Sequence, residues 1–266
     1  MTMYTADNMS NEQYHATDAI SSSAVKTVHG KSLAHWKARG EFKGSTVFDI
    51  GSVVHDLVLE GGKNSVRGPA DRRGNGWKDA YAEAQAEGKT LLTASDYDLA
   101  HAVAGSLLFH PAGARMSGPD VVNEASFFAI DPDTGLEIKC RPDSYWMDQG
   151  VIYDIKTCQD ASPRGVAKDF QSYGYPLQAA FYMKVLRLAG FKATKFVFVH
   201  VEKSAPFAVS ANELSAEYLE WAEGQVDLTL VRIAEASLNG HYPTGWSTKV
   251  NTIDLPRWLP ADEFSN

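Results

Sequence analysis

Hydrophobic and polar positions follow two different rhythms along the chain. Over residues 46–60 apolar side chains recur at Ile50, Val53, Val54, Leu57 and Val58, a helical spacing with coverage wide enough for a buried helix that Gly61-Gly62 ends. Residues 1–20 are polar and read as irregular; Ser21, Ser22 and Ser23 offer caps for a short helix through Ala24, Val25, Val28 and Leu33. Residues 63–78 read as a polar loop, and a helix is expected over 77–87. Leu91-Leu92-Thr93 leads into a helix capped at Thr93 or Ser95 that runs to Leu108, where Pro111 closes it. The rhythm then shortens. Residues 121–130, 136–143 and 151–157 read as strands with partial alternation. Asp131-Pro132-Asp133-Thr134-Gly135 is a turn signal that makes the first two an antiparallel hairpin, and Asp148-Gln149-Gly150 does the same before the third. Ser162-Pro163 caps a helix through Leu177, Phe181, Val185 and Leu188 that ends at Gly190. A fourth strand is expected over 195–201, an amphipathic helix over 212–238, and an ordered extended tail beyond Gly240. The order of helices, hairpin, strand, helix, strand, helix predicts one α/β domain with a mixed sheet.

Composition narrows the class. Apolar residues are 44% of the 266, enough for a sizeable core, and 12 Phe, 11 Tyr and 6 Trp argue against wholesale disorder. The 25 Lys plus Arg against 33 Asp plus Glu give a net charge of −8, so nucleic acid is not bound through bulk positive charge. Any such contact needs a local basic groove or metal ions over acidic residues. Cys140 and Cys158 are the only cysteines, which excludes a disulfide scaffold and a four-Cys metal site within one chain and fits a reducing cytosol. There is no apolar run of membrane-spanning length and no secretory signal pattern at the N-terminus, so a cytoplasmic protein without a membrane partner is expected.

The chemistry concentrates in Arg141-Pro142-Asp143, a ten-residue gap, and Asp154-Ile155-Lys156. Strand alternation puts Asp154 and Lys156 on one face and turns Ile155 into the core. Asp143 at the end of the preceding strand reaches Asp154 if that strand pairs with 151–157. Two adjacent carboxylates repel unless a cation joins them, and hard oxygen donors select Mg²⁺ or Mn²⁺ over zinc. A lysine two residues on can orient or deprotonate a water, or neutralise a phosphate oxygen. Together these groups suit metal-assisted phosphodiester hydrolysis. Most D-x-K triplets are surface charges, but this one sits among Val151, Ile152, Tyr153 and Ile155, where charges are expensive unless they serve a site.

R-P-D, the gap, D-I-K-T and then Y-G-Y-x-x-Q-A-A-F-Y resemble the PD-(D/E)xK nuclease superfamily, and within it the RecE-type (exonuclease VIII-like) exonucleases of phages and prophages. The resemblance extends over most of the chain. It includes Tyr14-His15, the Ser-rich segment, G-S-V-V-H-D-L-V-L-E at 51–60, and an R-R-G-x-x-W-K segment at Arg72, Arg73, Gly74, Trp77 and Lys78. It implies a restriction-endonuclease-like α/β core with a mixed central β-sheet flanked by helices. A single nuclease domain would span 1–266, with an N-terminal segment 1–45, a core 46–240 and a C-terminal tail 241–266.

The resemblance also implies roles. Asp143 and Asp154 would bind Mg²⁺, for which Mn²⁺ can substitute, together with the Ile155 carbonyl, and Lys156 would be the catalytic lysine. His55 matches the helical histidine of the RecB-like branch, placed near the metal; by itself it also reads as a satisfied histidine on a buried helix. Glu124 is a third candidate carboxylate or a surface ion-pair partner. Gln178 and Tyr182, four apart on one helix face, match the Q-x-x-x-Y motif and imply DNA contact or support of the active site. Tyr173 and Tyr175 stack, bond to phosphate or simply pack. Arg67, Arg72, Arg73 and Lys78 form the most basic stretch, either a path for a phosphate backbone or a solvated loop. The remaining histidines show no ligand spacing. The activity implied is resection of linear double-stranded DNA from its ends, 5′ to 3′, giving 3′ tails for a single-strand annealing protein in phage-type recombination. The enzyme would be a homo-oligomeric ring in the cytoplasm of a bacterial host. The competing readings are a single-strand or flap nuclease and a catalytically silent DNA-binding recombination module.

Overall fold

The computed structural model describes residues 4–6, 9–39, 50–243, 246–247 and 249–255. In chain order these form β1 (Tyr4–Ala6), α1 (Asn11–Ala16), β2 (Ile20–Ser21), α2 (Ser22–Gly30), α3 (Leu33–Lys37) and α4 (Ile50–His55), which continues as a π-helical turn over Asp56–Glu60. Next come β3 (Ser65–Arg67), α5 (Gly74–Ala86), β4 (Thr90–Leu92), α6 (Ala94–Phe109) and α7 (Pro111–Met116). The strand-rich middle holds β5 (Val122–Asn123), β6 (Ser126–Ile130), β7 (Glu137–Cys140), β8 (Ser144–Trp146) and β9 (Val151–Cys158). The chain closes with α8 (Pro163–Tyr173), α9 (Tyr175–Leu188), β10 (Lys195–Glu202), β11 (Val209–Asn212) and α10 (Ala216–Asn239).

The central sheet is mixed, in the order β11-β10-β9-β8-β5, with β9 and β10 parallel and the other neighbours antiparallel. Parallel neighbours need a crossover, and α8 and α9 supply it. β9 is covered on both faces. Ile152 packs into a core with α2, α9 and α10, through residues such as Val25, Phe181 and Leu230. Ile155, of opposite parity, packs with Val54, Val58, Val103 and Leu107 from α4, the π-turn and α6. The hairpin β6–β7 forms antiparallel as expected, but it belongs to a second sheet, β1-β6-β7-β2.

Several expectations are corrected. The segment read as irregular contains β1, β2 and α1; residues 1–3 and 7–8 of it lie outside the described residues. A reciprocal capping box starts α1, with Ser10 Oγ accepting from the Gln13 N–H and the Gln13 side chain accepting from the Ser10 N–H. Lys139 then anchors its end, donating to the carbonyls of Tyr14 (2.6 Å) and Thr17 (2.9 Å). The helix expected through Leu33 breaks at Lys31, and Ser32 caps α3 separately. Residues 46–49 of the helix expected over 46–60 lie outside the described residues. In the loop expected over 63–78, β3 pairs in parallel with β4 and α5 begins at Gly74. Pro111 closes one helix by opening another, as the first residue of α7. The strand expected over 121–130 is cut at Glu124, a non-glycine residue at φ 53°. The long helix after Ser162 is cut at Gly174, at φ 64°. β11 was not foreseen, and the last helix starts from a Ser215 cap.

The change that matters most concerns the strand expected over 136–143. It ends at Cys140, Arg141-Pro142-Asp143 carries the chain from the second sheet to the central one, and β8 then pairs with β9. Asp143 therefore precedes a neighbour of β9 rather than ending β7. The described parts of the tail beyond Gly240 hold no helix or strand; 244–245, 248 and 256–266 lie outside the described residues. Tyr242 and Trp246 of the tail rest on Trp36 and His35 of α3. Among the described residues no helix is long and apolar enough to cross a membrane.

Candidate active site

Alternation along β9 points Asp154 and Lys156 to the α9 side, and Asp154 is buried to 1% exposure. A charge there needs partners. Lys156 forms an ion pair with Asp154 Oδ1, and Gln178 Nε2 from α9 donates to Asp154 Oδ2 at 2.5 Å. Gln178 is itself buried, so its amide is committed to this carboxylate. Above the pair, Lys156 Nζ lies 5.0 Å from the centroid of the Tyr175 ring. Tyr182, one turn beyond Gln178, packs its ring against Phe196 at 5.9 Å. Burial, with Tyr14 and Asp154 beside it, keeps the Tyr182 phenol well above its ordinary pKa.

Asp143 reaches β9 from the adjoining crossover. Its Oδ2 accepts the Ile155 N–H at 2.6 Å. His55, at the end of α4, places Nε2 3.6 Å from the same oxygen and 3.3 Å from the Ile155 carbonyl oxygen. The positive φ at Glu124 interrupts the strand so that its N–H donates to the Asp143 carbonyl at 3.2 Å. One ligand atom from each of His55, Glu124 and Asp143 falls within 4.8 Å of the others. Asp154 stands outside that trio, with Lys156 and Gln178 on its two oxygens.

The electrostatics fit a missing positive charge. Burial, and then Asp154, push Asp143 up to about 6, although His55 and Lys156 pull the other way. Burial, and then Asp143, push Glu124 up to about 8. Carboxylates so raised are short of a cation, and the trio offers oxygen donors and one imidazole to a hard divalent ion. The donor set therefore fits a metal of the Mg²⁺ or Mn²⁺ class. Such a metal would be held by Asp143, Glu124 and His55 with the Ile155 carbonyl beside them.

The PDDEXK-like domain of unknown function (DUF3799) matches residues 21–255. The chain belongs to this PDDEXK-like family. It thus carries a nuclease-like fold of the PD-(D/E)xK superfamily. A solved structure from Eubacterium rectale, described as a "putative exonuclease", covers 94% of this chain and 97% of its own length, at 18% identity and a TM-score of 0.61. At that identity the likeness speaks for the fold. A second solved structure, SSO0001, covers 80% of this chain and 85% of its own at 15% identity, with a TM-score of 0.31, too distant to carry any argument. No curated protein matches the chain.

In this family member the expected basic path is partly neutralised. Arg67 is bonded to Asp98 at 3.0 Å and Arg72 to Asp96 at 3.3 Å, while Arg72 also lies over the Trp77 ring. Arg73 and Lys78 are exposed. Two further groups near β9 were not singled out in the sequence. His200 on β10 is the register partner of Lys156, fully buried, and burial lowers its pKa to about 4, which keeps it neutral beside the lysine. Lys26 on α2 has Lys156 and Asp154 as electrostatic neighbours. No local pattern marks either residue: His200 alternates within an apolar strand, and Lys26 is an ordinary polar position of an amphipathic helix.

Proposed function

We propose that the chain is a RecE-type, divalent-metal-dependent exodeoxyribonuclease. It resects linear double-stranded DNA from its ends, 5′ to 3′, and leaves 3′ tails for a single-strand annealing protein. The observation that supports this reading is the convergence of Asp143, Glu124 and His55 next to the Asp154–Lys156–Gln178 group. Mg²⁺, or Mn²⁺ in its place, would supply Lewis-acid polarisation of the scissile phosphate when bound. The protein's own groups do the rest. Gln178 fixes the Asp154 carboxylate, and Asp154 in turn fixes the Lys156 ammonium. Lys156 orients the attacking water and neutralises charge on the phosphate as it develops. Asp143 is locked by the Ile155 N–H, so its second oxygen keeps one direction. Tyr182 supports the helix that carries Gln178. Arg73 and Lys78 offer charge to the DNA backbone, and assembly of several copies into a ring in the bacterial cytoplasm would concentrate it.

The test is digestion of a linear duplex labelled at the 5′ end in one sample and the 3′ end in another, with Mg²⁺ and with EDTA. Early release of the 5′ label as mononucleotides, abolished by EDTA, is the expected outcome. Degraded single strands beside intact duplex would replace it with a single-strand or flap nuclease. DNA binding without cleavage under either metal would make the chain a silent recombination module.

A further inference from the structure

Lys26 is a second lysine beside the Asp154–Lys156 pair. It lies midway along α2 with its stem against the α8–α9 junction, where a Cβ on Gly174 would stand 3.2 Å from Lys26 Cδ. Among the described residues its ammonium has no hydrogen-bond or ion-pair partner. Burial, and then Lys156, lower its pKa to about 8; Asp154 pulls the other way, and Arg39 adds to the lowering. Asp154 is shared between Lys156 and this second, half-buried lysine and offsets it only in part, so a further anion beside Lys26 would be favourable. On a protein of net charge −8, that makes this corner a local exception.

The residues that flank Gly174 in the chain are both tyrosines. Tyr173 ends α8 and is 59% exposed. One face of its ring stacks on Tyr175, at 5.6 Å between centroids and 26° between planes. Tyr175 in turn stacks on Phe198 at 5.4 Å and lies beneath Lys156 Nζ. A ladder of rings therefore runs from the core past the catalytic lysine and ends in an aromatic face braced from behind. Stacking platforms beside cations are the means by which proteins hold single strands of any sequence, because every base has a π-face.

We propose that Lys26 and Tyr173 form a subsite for the nucleotide flanking the scissile phosphate, Lys26 on a backbone phosphate and Tyr173 against the base. The subsite rests on the nuclease reading and deepens it. It takes a strand without regard to sequence, as an enzyme that works inward from any DNA end requires.

The test compares wild type with Tyr173→Ala, Tyr173→Trp and Lys26→Met on a linear duplex, with Mn²⁺ affinity and melting temperature measured alongside. Tyr173→Ala raises KM about tenfold with kcat nearly unchanged, and Tyr173→Trp restores it. Lys26→Met raises KM and flattens its logarithmic salt dependence by about 0.7–0.9, the contribution of one phosphate contact. Mn²⁺ affinity and melting temperature stay at wild-type values in all three. A wild type that degrades DNA with variants equal to it in KM and salt slope would overturn the subsite alone. Loss of Mn²⁺ affinity or melting temperature in step with KM would overturn it in favour of a purely structural role. A wild type that neither binds nor cleaves DNA would remove the nuclease reading, and the subsite with it.

Discussion

Two strands of this protein carry the same triplet pattern and use it in opposite ways. β7 contains Glu137-Ile138-Lys139 and β9 contains Asp154-Ile155-Lys156; each is an acid, a buried isoleucine and a lysine. On β7 the acid is exposed and the lysine is complete. Lys139 Nζ donates to the Tyr14 carbonyl, the Thr17 carbonyl at 2.9 Å and Thr17 Oγ1 at 2.7 Å, which uses all three of its protons. Arg141 follows suit, bonded to Ser126 Oγ and the Met9 carbonyl. These charges fasten α1 to the second sheet. On β9 the acid is buried, the lysine has, among the described residues, that acid and a tyrosine face, and the carboxylates around it are driven from their ordinary pKa. Buried charge alone does not mark a site. Charge left incomplete by the protein's own atoms does.

Exchanging the two lysines for neutral residues breaks or keeps that contrast. Lys156→Ala has the largest expected effect, a loss of about 10²- to 10⁴-fold in kcat, with Mn²⁺ affinity retained because the converging trio is untouched. Steady-state digestion and metal titration read the two quantities separately. Lys139→Met leaves cleavage per folded molecule intact. It strips the Thr17 carbonyl of its lysine donor and leaves the Tyr14 carbonyl with the Thr17 hydroxyl alone, at a cost of about 2 kcal/mol, seen as a melting temperature roughly 4–8 °C lower. A Lys139 variant that lost cleavage while keeping its melting temperature would erase the distinction between the strands.

The contrast also shows what could be read from the chain. The period-two segments, the turn at 131–135 and the short path from Asp143 to Asp154 follow from local pattern, and β9 forms where its alternation predicts. The change of sheet at Arg141-Pro142-Asp143 does not follow, because apolar alternation runs straight through Leu136–Cys140 toward the motif and only Pro142 hints at a break. α1 was concealed for a different reason. Its polar composition hides a capping box, and its anchor, Lys139, lies more than a hundred residues away. The basic loop looked more cationic than it is, since Asp96 and Asp98 answer Arg72 and Arg67 from α6. The candidate site was legible where its residues share a strand or a helix turn. The sequence offers Glu124 as a candidate carboxylate, but the positive φ at Glu124 and the helix packing that places Lys26 are not encoded in spacing.

The smallest effect is the sharpest test of incompleteness, because only β9's neighbourhood should respond to pH and metal together. A carboxyl whose pKa is raised on folding holds its proton more tightly in the folded state. Its stabilising contribution is whole below the ordinary carboxylate value and is lost as pH rises, through about 6 for Asp143 and about 8 for Glu124. His200 acts in the opposite sense, its lowered pKa weakening the fold as pH falls from 6.5 toward about 4. In a Lys26→Met background, which removes an opposing lysine lowered to about 8, the window between 6.5 and 8 therefore isolates Glu124. In EDTA the melting temperature should fall across that window, and Mn²⁺ should restore more of it at pH 8 than at pH 6.5, since the ion takes the place of the proton. Glu124→Gln should flatten the EDTA profile there, whereas Lys139→Met should lower the whole curve and keep its slope. A wild-type profile indifferent to Mn²⁺ would mean that these carboxylates share no cation, and that the charges of β9 are as structural as those of β7.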